Sequence, residues 1–430
     1  MNAVSKRPGA PRRLLVVAAL TLAFSRLAAA DMLPSIDAAR DALWASPMVL
    51  AAQAELAAQQ SGSAALANGT AEWTIGGDLA QRRVGGSAAT NYPEGGATVS
   101  RPIRMPARAA ADRALGLANI SFADASLGEA LHETGRSLLS LWFDWLGEAS
   151  LKNDWMAQRA LAEKQREIVA KRHRLGEAAK SEIIAINAAL AQARYQAQLA
   201  DARAARAHSQ LAAAFPNLVE PATLDLPPPE AVTGDEADWV TAALAHNHEL
   251  ARARADAQRL ARHAEHLQSR VSPDPSVGLF ARRENGNESV VGINVGFTLP
   301  NASRQLEADA ARTRADAAAA AATRLEARLT AEARLNFANA RASLAAWQEA
   351  ETAAVALEES ARLSARAFEL GEGELAPVLS TRRLAIEGRI AATSQRREAQ
   401  YSRARLQLDA HRLWPLDAHP DEEDSHAHHY

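Results

Sequence analysis

Val291-Gly292-Ile293-Asn294-Val295-Gly296-Phe297-Thr298-Leu299 alternates large apolar side chains with small or polar ones at strict period two. Such a run is a strand with one face for an apolar medium and the other for water. Upstream, Ser276 to Arg282 puts Val277, Leu279 and Ala281 on one face. Glu284-Asn285-Gly286-Asn287 between the two runs is turn chemistry, so a hairpin is predicted over about 275–300. The theme occurs once more, earlier. Trp73, Ile75, Gly77 and Leu79 alternate with Thr74, Gly76, Asp78 and Ala80. A return strand is expected over Ala97–Met105, after a loop holding Gly85, Gly86, Gly95 and Gly96. In that return strand Arg101 falls on the apolar face, and Pro102 belongs at an edge or an end.

Long helical patterns follow each hairpin. The first pair is expected over Arg108–Leu175 and Ala178–Phe215, with Gly116, Gly128, Gly135 and Gly147 marking bends or breaks. The second pair is expected over Ser303–Leu370 and Leu375–Leu413. Unbroken, the longer member of each pair would reach roughly 100 Å. Apolar residues make up 48% of the chain but aromatics only 5%, and alanine runs such as 317–322 supply the difference. Alanine favours helix and lets backbones approach closely, which suits long packed helices better than a thick aromatic core.

The chain is written twice. Ala42-Leu43-Trp44-Ala45-Ser46-Pro47-Met48-Val49-Leu50-Ala51 resembles Ala243-Leu244-Ala245-His246-Asn247-His248-Glu249-Leu250-Ala251, and each opens a helix. Arg174-Leu175-Gly176-Glu177 matches Glu369-Leu370-Gly371-Glu372. The expected organisation is a signal peptide at 1–30, a first repeat at 31–215 and a proline-rich linker at 216–232. A second repeat at 233–414 and an acidic, His-rich tail at 415–430 complete it. The signal peptide rests on Lys6, Arg7, Arg12 and Arg13 before an apolar stretch Leu14–Phe24, with Ala28-Ala29-Ala30 at the cleavage position. That stretch is too short to span a bilayer, and no later segment has the uncharged apolar run of a membrane helix. Any membrane insertion must therefore use strands.

The formal net charge is −3, with no basic excess for nucleic acid. There is no cysteine, which excludes disulfides, thiolate metal sites and thiol catalysis. No phosphate loop, nucleophile elbow or catalytic pair stands out, so neither an enzyme nor a cofactor is expected. Two hairpins give four strands, and a membrane barrel needs about eight or more. Inserted strands must close, because lipid offers their backbone no partners. A membrane version of this chain must oligomerise.

With these features in one order, the chain resembles the TolC family of outer-membrane efflux proteins, nearest to its shorter heavy-metal efflux (CzcC-like) members. The resemblance covers nearly the whole mature sequence. It implies a mainly α fold with a small β part: duplicated long-helix hairpins forming a tunnel, and two β-hairpins forming a transmembrane barrel shared between protomers. It further implies a homotrimer in the outer membrane with twelve strands, and twelve helices in the periplasm. Its partners would be outer-membrane lipid, a periplasmic adaptor and an inner-membrane pump of the resistance-nodulation-division type. Heavy-metal cations or small toxic compounds would be the cargo. In the family, equivalent Leu-Gly-Glu turns form the periplasmic tips that meet the adaptor. That role carries to Arg174, Leu175, Gly176 and Glu177, and to Glu369, Leu370, Gly371 and Glu372. The family's acidic constriction maps near Pro377 and Ser380, which are not acidic. Glu374, Ser380 and Arg382 are the candidate constriction here, with Glu372 beside them and Arg382 and Arg383 placed to pair with the acids.

The remaining polar and aromatic clusters read more plainly. His426, His428 and His429, with His419 among acids, are weak metal candidates without a scaffold. His246, His248, His263 and His266 read as surface or packing residues of one helix. Trp142, Phe143, Trp145 and Trp155 read as helix packing, and Trp73, Tyr92 and Phe297 as interface aromatics. The competing function is a periplasmic helical-hairpin adaptor or structural protein of the envelope, which would stay soluble without detergent.

Overall fold

The computed structural model describes residues 32–69, 71–87, 90–220, 224, 226–285, 288–414 and 416. The expected signal peptide and, Leu416 aside, the His-rich tail with its metal candidates lie outside these residues. The described elements are α1 (Ile36–Trp44), α2 (Pro47–Asn68), β1 (Thr74–Val84), β2 (Thr90–Pro102), α3 (Pro106–Arg174) and α4 (Lys180–Ala214). The second set is α5 (Glu236–Ala245), α6 (His248–Ser269), β3 (Ser276–Glu284), β4 (Glu288–Gly296), α7 (Ala302–Glu369) and α8 (Leu375–Asp409). Corresponding helices match in length: 22 residues each for α2 and α6, 69 and 68 for α3 and α7, 35 each for α4 and α8. Ile36 and Glu236 open the two sets 200 residues apart, whereas Lys180 and Leu375 are 195 apart. The first hairpin is the longer one and absorbs the difference. No helix among the described residues is long and apolar enough to cross a membrane.

One compact unit comprises Met48–Ala130 and Asn247–Leu329. It holds a single antiparallel sheet in the order β1-β2-β3-β4, so hairpins from both repeats pair with each other. The register fixes its faces. Ile75, Val99, Leu279 and Ile293 form one cross-strand row, and Gly77, Ala97, Ala281 and Val291 the next. This apolar face is open to the surroundings: Leu79 is 94% exposed and Ile75 79%. The opposite face carries Asp78, Arg82, Glu94, Arg282, Glu284 and Glu288. There Arg82 Nε bonds Glu94 at 2.5 Å and Arg282 reaches Asp78 at 2.8 Å. Arg101, awkward in the sequence, sits at the helix-proximal end of the apolar face. It donates to the Ala71 carbonyl at 3.0 Å and lies 5.5 Å over the Trp73 ring. Tyr92 pairs with Arg82 and so shares the polar face, not that of Trp73.

The sheet corrects two boundaries. Gly95 and Gly96, expected in the loop, lie inside β2 opposite Leu79 and Asp78. A Cβ on Gly96 would come within 2.7 Å of Arg282 Cγ and 3.0 Å of Asp78 Oδ1. The glycine lets the Asp78–Arg282 ion pair cross over β2. Conversely, β4 ends at Gly296, not Leu299, because its partner β3 begins at Ser276.

Each hairpin is bolted to its helices. Arg104 donates to the Leu66 and Ala67 carbonyls at the end of α2 (2.8 and 2.7 Å) and reaches Asp112 at 3.2 Å. In the second repeat Arg304 donates to the Arg270 carbonyl just past α6 at 3.1 Å. Both satisfy helix-terminal carbonyls that have no partner within the helix. Asp274 accepts the Met105 N–H at 3.0 Å and pairs with Arg108 at 2.7 Å. His266 Nδ1 lies 2.8 Å from buried Asp112. The four histidines do not share one helix. His246 ends α5, and Asn247 starts α6 by accepting the Leu250 N–H at 2.7 Å.

Among the described residues the other compact unit comprises the segment before and up to Pro47, Leu131–His246, and the residues from Thr330 on. Its aromatic knot is packing, as the sequence indicates. Trp142 is buried, donates to the Met32 carbonyl at 2.8 Å and meets Trp145 edge-on at 5.6 Å. Phe143 meets Tyr401 edge-on at 6.0 Å. The proline-rich linker is held along α8: Gln400 donates to the Pro227 carbonyl at 2.9 Å and Arg403 pairs with Glu230 at 2.6 Å.

The expected breaks in α3 are absent: the helix runs through all four glycines. They serve close approach. A Cβ on Gly116 would stand 3.0 Å from Ser63 Cβ and 3.1 Å from its Cα, and one on Gly128 would meet the His248 ring. Gly116→Ala is therefore expected to lower the thermal unfolding temperature despite alanine's higher helix propensity. Gly62→Ala, in α2 with open space around it, should raise stability by about 0.5–1 kcal/mol. Melting curves of the two variants against the parent check the contrast.

Candidate functional site

The two Leu-Gly-Glu turns are the same object built twice. Gly176 has φ +80° and Gly371 φ +83°, and neither has a neighbour where a Cβ would sit. The demand on each is thus backbone conformation alone, in the left-handed region where a side chain is penalised. At the first turn, Glu177 N–H donates to the Arg172 carbonyl at 2.9 Å and Gly176 N–H to that of His173 at 3.1 Å. At the second, Glu372 N–H donates to the Ala367 carbonyl at 3.0 Å and Gly371 N–H to that of Phe368 at 3.2 Å. These are Schellman closures, which satisfy the last carbonyls of α3 and α7. The following helices start differently. Glu182 accepts the Ala179 N–H at 3.2 Å, whereas Glu374, at the equivalent cap of α8, makes no side-chain cap bond.

The turns are yoked together. Val169 of α3, Ile186 of α4, Phe368 of α7, and Leu375 and Val378 of α8 form one buried cluster beneath them. The Arg172 guanidinium lies 4.5 Å over the Phe368 ring and donates to the Phe368 carbonyl at 3.3 Å. Above this cluster Leu175 and Leu370 stand 64% and 58% exposed. The two leucines face solvent and form an exposed apolar patch at the paired turns. Glu177, Glu369 and Glu372 provide acid beside it, and Glu369 holds Arg366 at 3.2 Å.

The candidate constriction residues differ in exposure and partners. Glu374 and Ser380 are exposed, but Arg382 is partly buried and donates to the buried Gln165 side chain of α3. Burial pulls the Arg382 guanidinium below its ordinary pKa. Arg383 lies 3.9 Å from Glu387, one turn along its own helix. Among the described residues neither arginine pairs with Glu372 or Glu374.

A cleft of about 500 Å³ opens between α3, α7 and α8, lined among others by Asp154, Leu161, Glu358, Arg366, Arg382 and Arg389. Arg389 bridges Glu358 at 2.5 Å and Glu351 at 2.9 Å, and Arg396 adds a bond to Glu351 at 3.0 Å. The hydrogen bonds that Arg389 donates to Glu358 raise the Arg389 pKa strongly. Burial pushes the Asp154 carboxyl up, although the Thr393 hydroxyl donates to it at 2.6 Å and Arg389 and Arg396 pull the other way. This network and the Arg172–Phe368 clamp escaped the sequence reading. The positions 195 residues from Arg172 and Phe368 are Ala367 and His173, so comparing the repeats hides the pair. Among the described residues no group of three His, Asp or Glu side chains could hold a metal ion.

No protein-family model and no curated protein matches the sequence. Solved structures do match. The outer-membrane channel OprN superposes with a TM-score of 0.71 at 15% identity, over 87% of this chain and 89% of that one. The outer-membrane protein VceC of Vibrio cholerae gives 0.71 at 15%, over 88% and 99%. The Campylobacter jejuni CmeC outer-membrane channel gives 0.72 at 11%, over 87% and 84%. The chain has the fold of these channels along most of its length.

Because the folded state raises the Asp154 pKa, the native protein holds that proton more tightly than the unfolded chain. Stability from this group is therefore lost as pH climbs from the ordinary carboxylate range, about 4, toward the raised value. Asp154→Asn, which keeps an acceptor for Thr393, should flatten that decline. Melting temperatures of both proteins between pH about 4 and 8 check it.

Proposed function

We propose that this chain, built on the fold of the outer-membrane channels, is the outer-membrane duct of a tripartite efflux system. The observation that carries the reading is the sheet. Within one chain it has a bare strand at each edge, β1 and β4, and an exposed apolar face. Neither tolerates isolation: free edges seek strands, and an exposed apolar sheet face seeks an apolar medium. β1 and β4 run antiparallel to each other, so the β4 edge of one copy can continue into the β1 edge of the next. Three copies would close a twelve-stranded barrel with the apolar face toward lipid and the charged face toward the lumen. The helices of the three copies would form a periplasmic tunnel.

In this reading the duct is passive. The paired turns at Leu175 and Leu370 are the contact for a periplasmic adaptor, which links the duct to an inner-membrane pump of the resistance-nodulation-division type. The cargo is cationic, heavy-metal ions or small toxic compounds. Asp78, Glu94, Glu284 and Glu288 outnumber Arg82 and Arg282 on the lumen face, and an acid excess in a pore enriches cations. The exposed apolar face argues against a soluble periplasmic adaptor.

The chain contains no cysteine, so cysteine pairs report cleanly. Single cysteines along β1 (Ile75, Gly77, Leu79), combined with single cysteines along β4 (Val291, Ile293, Val295), should cross-link detergent-purified protein into covalent trimers in at least one register. A detergent-free monomer with no cross-link in any pairing would reject the barrel. For the tips, Gly371→Val should reduce export from cells several-fold more than it reduces protein abundance, and Gly371→Asn, which tolerates the left-handed conformation, should spare both. Undiminished export by an assembled Gly371→Val protein would remove the adaptor role from this turn.

A further inference from the structure

The strand charges are sorted by sign as well as by face. All four acidic strand residues, Asp78, Glu94, Glu284 and Glu288, lie on the polar face. On the apolar face the charged strand residues are Arg83, Arg101 and Arg283, with no acid among them. They also sit at its ends. Arg101 marks the helix-proximal end, in the row of Val277 and Val295. Arg283 shares a row with Leu79, Gly95 and Ser289 toward the turns, and Arg83 lies farther on, opposite Asn91. Gln81 lies on the same face between the levels of Leu79 and Arg83.

Between the apolar rows and Arg283 the surface is hollowed. Gly95, Ala97 and Ala281 are small, and with Arg283, Ser289 and Val291 they line a shallow groove of about 460 Å³, which Gly96, Arg282 and Val290 of the alternate positions also border. The groove is apolar at its floor and basic at its turn-proximal end. That is the complement of an anionic amphiphile: an acyl chain along the small residues, with a phosphate against guanidinium. Arginine suits this place because its planar fork binds phosphate oxygens in pairs and its long stem can lie on apolar surface while the head reaches water.

We propose that the turn-proximal rim of the apolar face is a docking site for a phosphorylated glycolipid of the outer leaflet, held by Arg83 and Arg283. The proposal rests on the barrel reading above, which turns this face to lipid and the hairpin turns to the exterior. Arg83 and Arg283 are two strands and four residues apart. At about 4.8 Å per strand and 3.4 Å per residue their Cα atoms are about 17 Å apart. They therefore address two separate phosphates rather than one, as on a headgroup phosphorylated at both ends.

Detergent-purified trimer is titrated with bisphosphorylated lipid A and with the same lipid stripped of both phosphates, and bound lipid is counted by native mass spectrometry. The parent should bind the phosphorylated form at least tenfold more tightly. Arg83→Gln with Arg283→Gln should abolish that preference, while Arg83→Lys with Arg283→Lys, which keeps the charge, should retain most of it. Equal binding of the two lipids, or an unchanged preference in the glutamine variant, overturns the site. Competition by millimolar inorganic phosphate would show a free-anion site and overturn the lipid assignment. Failure of the barrel reading shows separately, as absence of the β1–β4 cross-linked trimer.

Discussion

A strand edge leaves every second N–H and C=O without a partner, and β1 and β4 each present such an edge within one chain. In water those groups are tolerable; in an apolar medium each costs several kcal/mol. The same sheet offers Ile75, Leu79, Leu279, Val291 and Ile293 to whatever surrounds it. These two facts pull in opposite directions unless the edges are joined to other strands. Joining them through copies of the chain resolves both at once. The internal duplication follows from the same need, since two hairpins of opposite repeats already pair through β2 and β3.

Small residues do the positional work. Gly96 lets an ion pair span β2, and Gly116 and Gly128 admit Ser63 and His248 against α3 without breaking it. Each glycine costs helix or strand propensity. The return is close approach, which in an alanine-rich helical protein substitutes for the bulky interdigitation of an aromatic core. Two aromatic residues have a polar task instead: the Trp142 and Trp414 indoles donate to the Met32 and Pro34 carbonyls and so hold the segment before α1.

The paired turns are a repeated motif joined by an unrepeated contact. Their closures are equivalent hydrogen bond for hydrogen bond, yet the clamp between them is asymmetric, with the cation from the first repeat and the ring from the second. The shared cluster of Val169, Ile186, Phe368, Leu375 and Val378 ties both turns to the same buried contacts. A partner docking on Leu175 and Leu370 would thereby act on four helices together.

The sequence by itself determined the duplication, the two hairpins, the long helices and the glycine turns. Each of these is local: period two, helical pattern and the left-handed demand at Gly176 and Gly371 are properties of neighbouring residues. It also separated an apolar from a polar strand face, because side chains alternate whatever the pairing. Tertiary structure alone decided the rest. It showed that glycines in α3 make room for neighbours rather than breaks, because that depends on what packs opposite. It put Gly95 and Gly96 inside a strand and Tyr92 on the polar face, because register is set by the partner strand. And it turned Arg382 toward Gln165 and away from the acids nearest in sequence, because a long side chain settles where burial and a hydrogen bond coincide, and spacing along one helix does not encode the helix beside it.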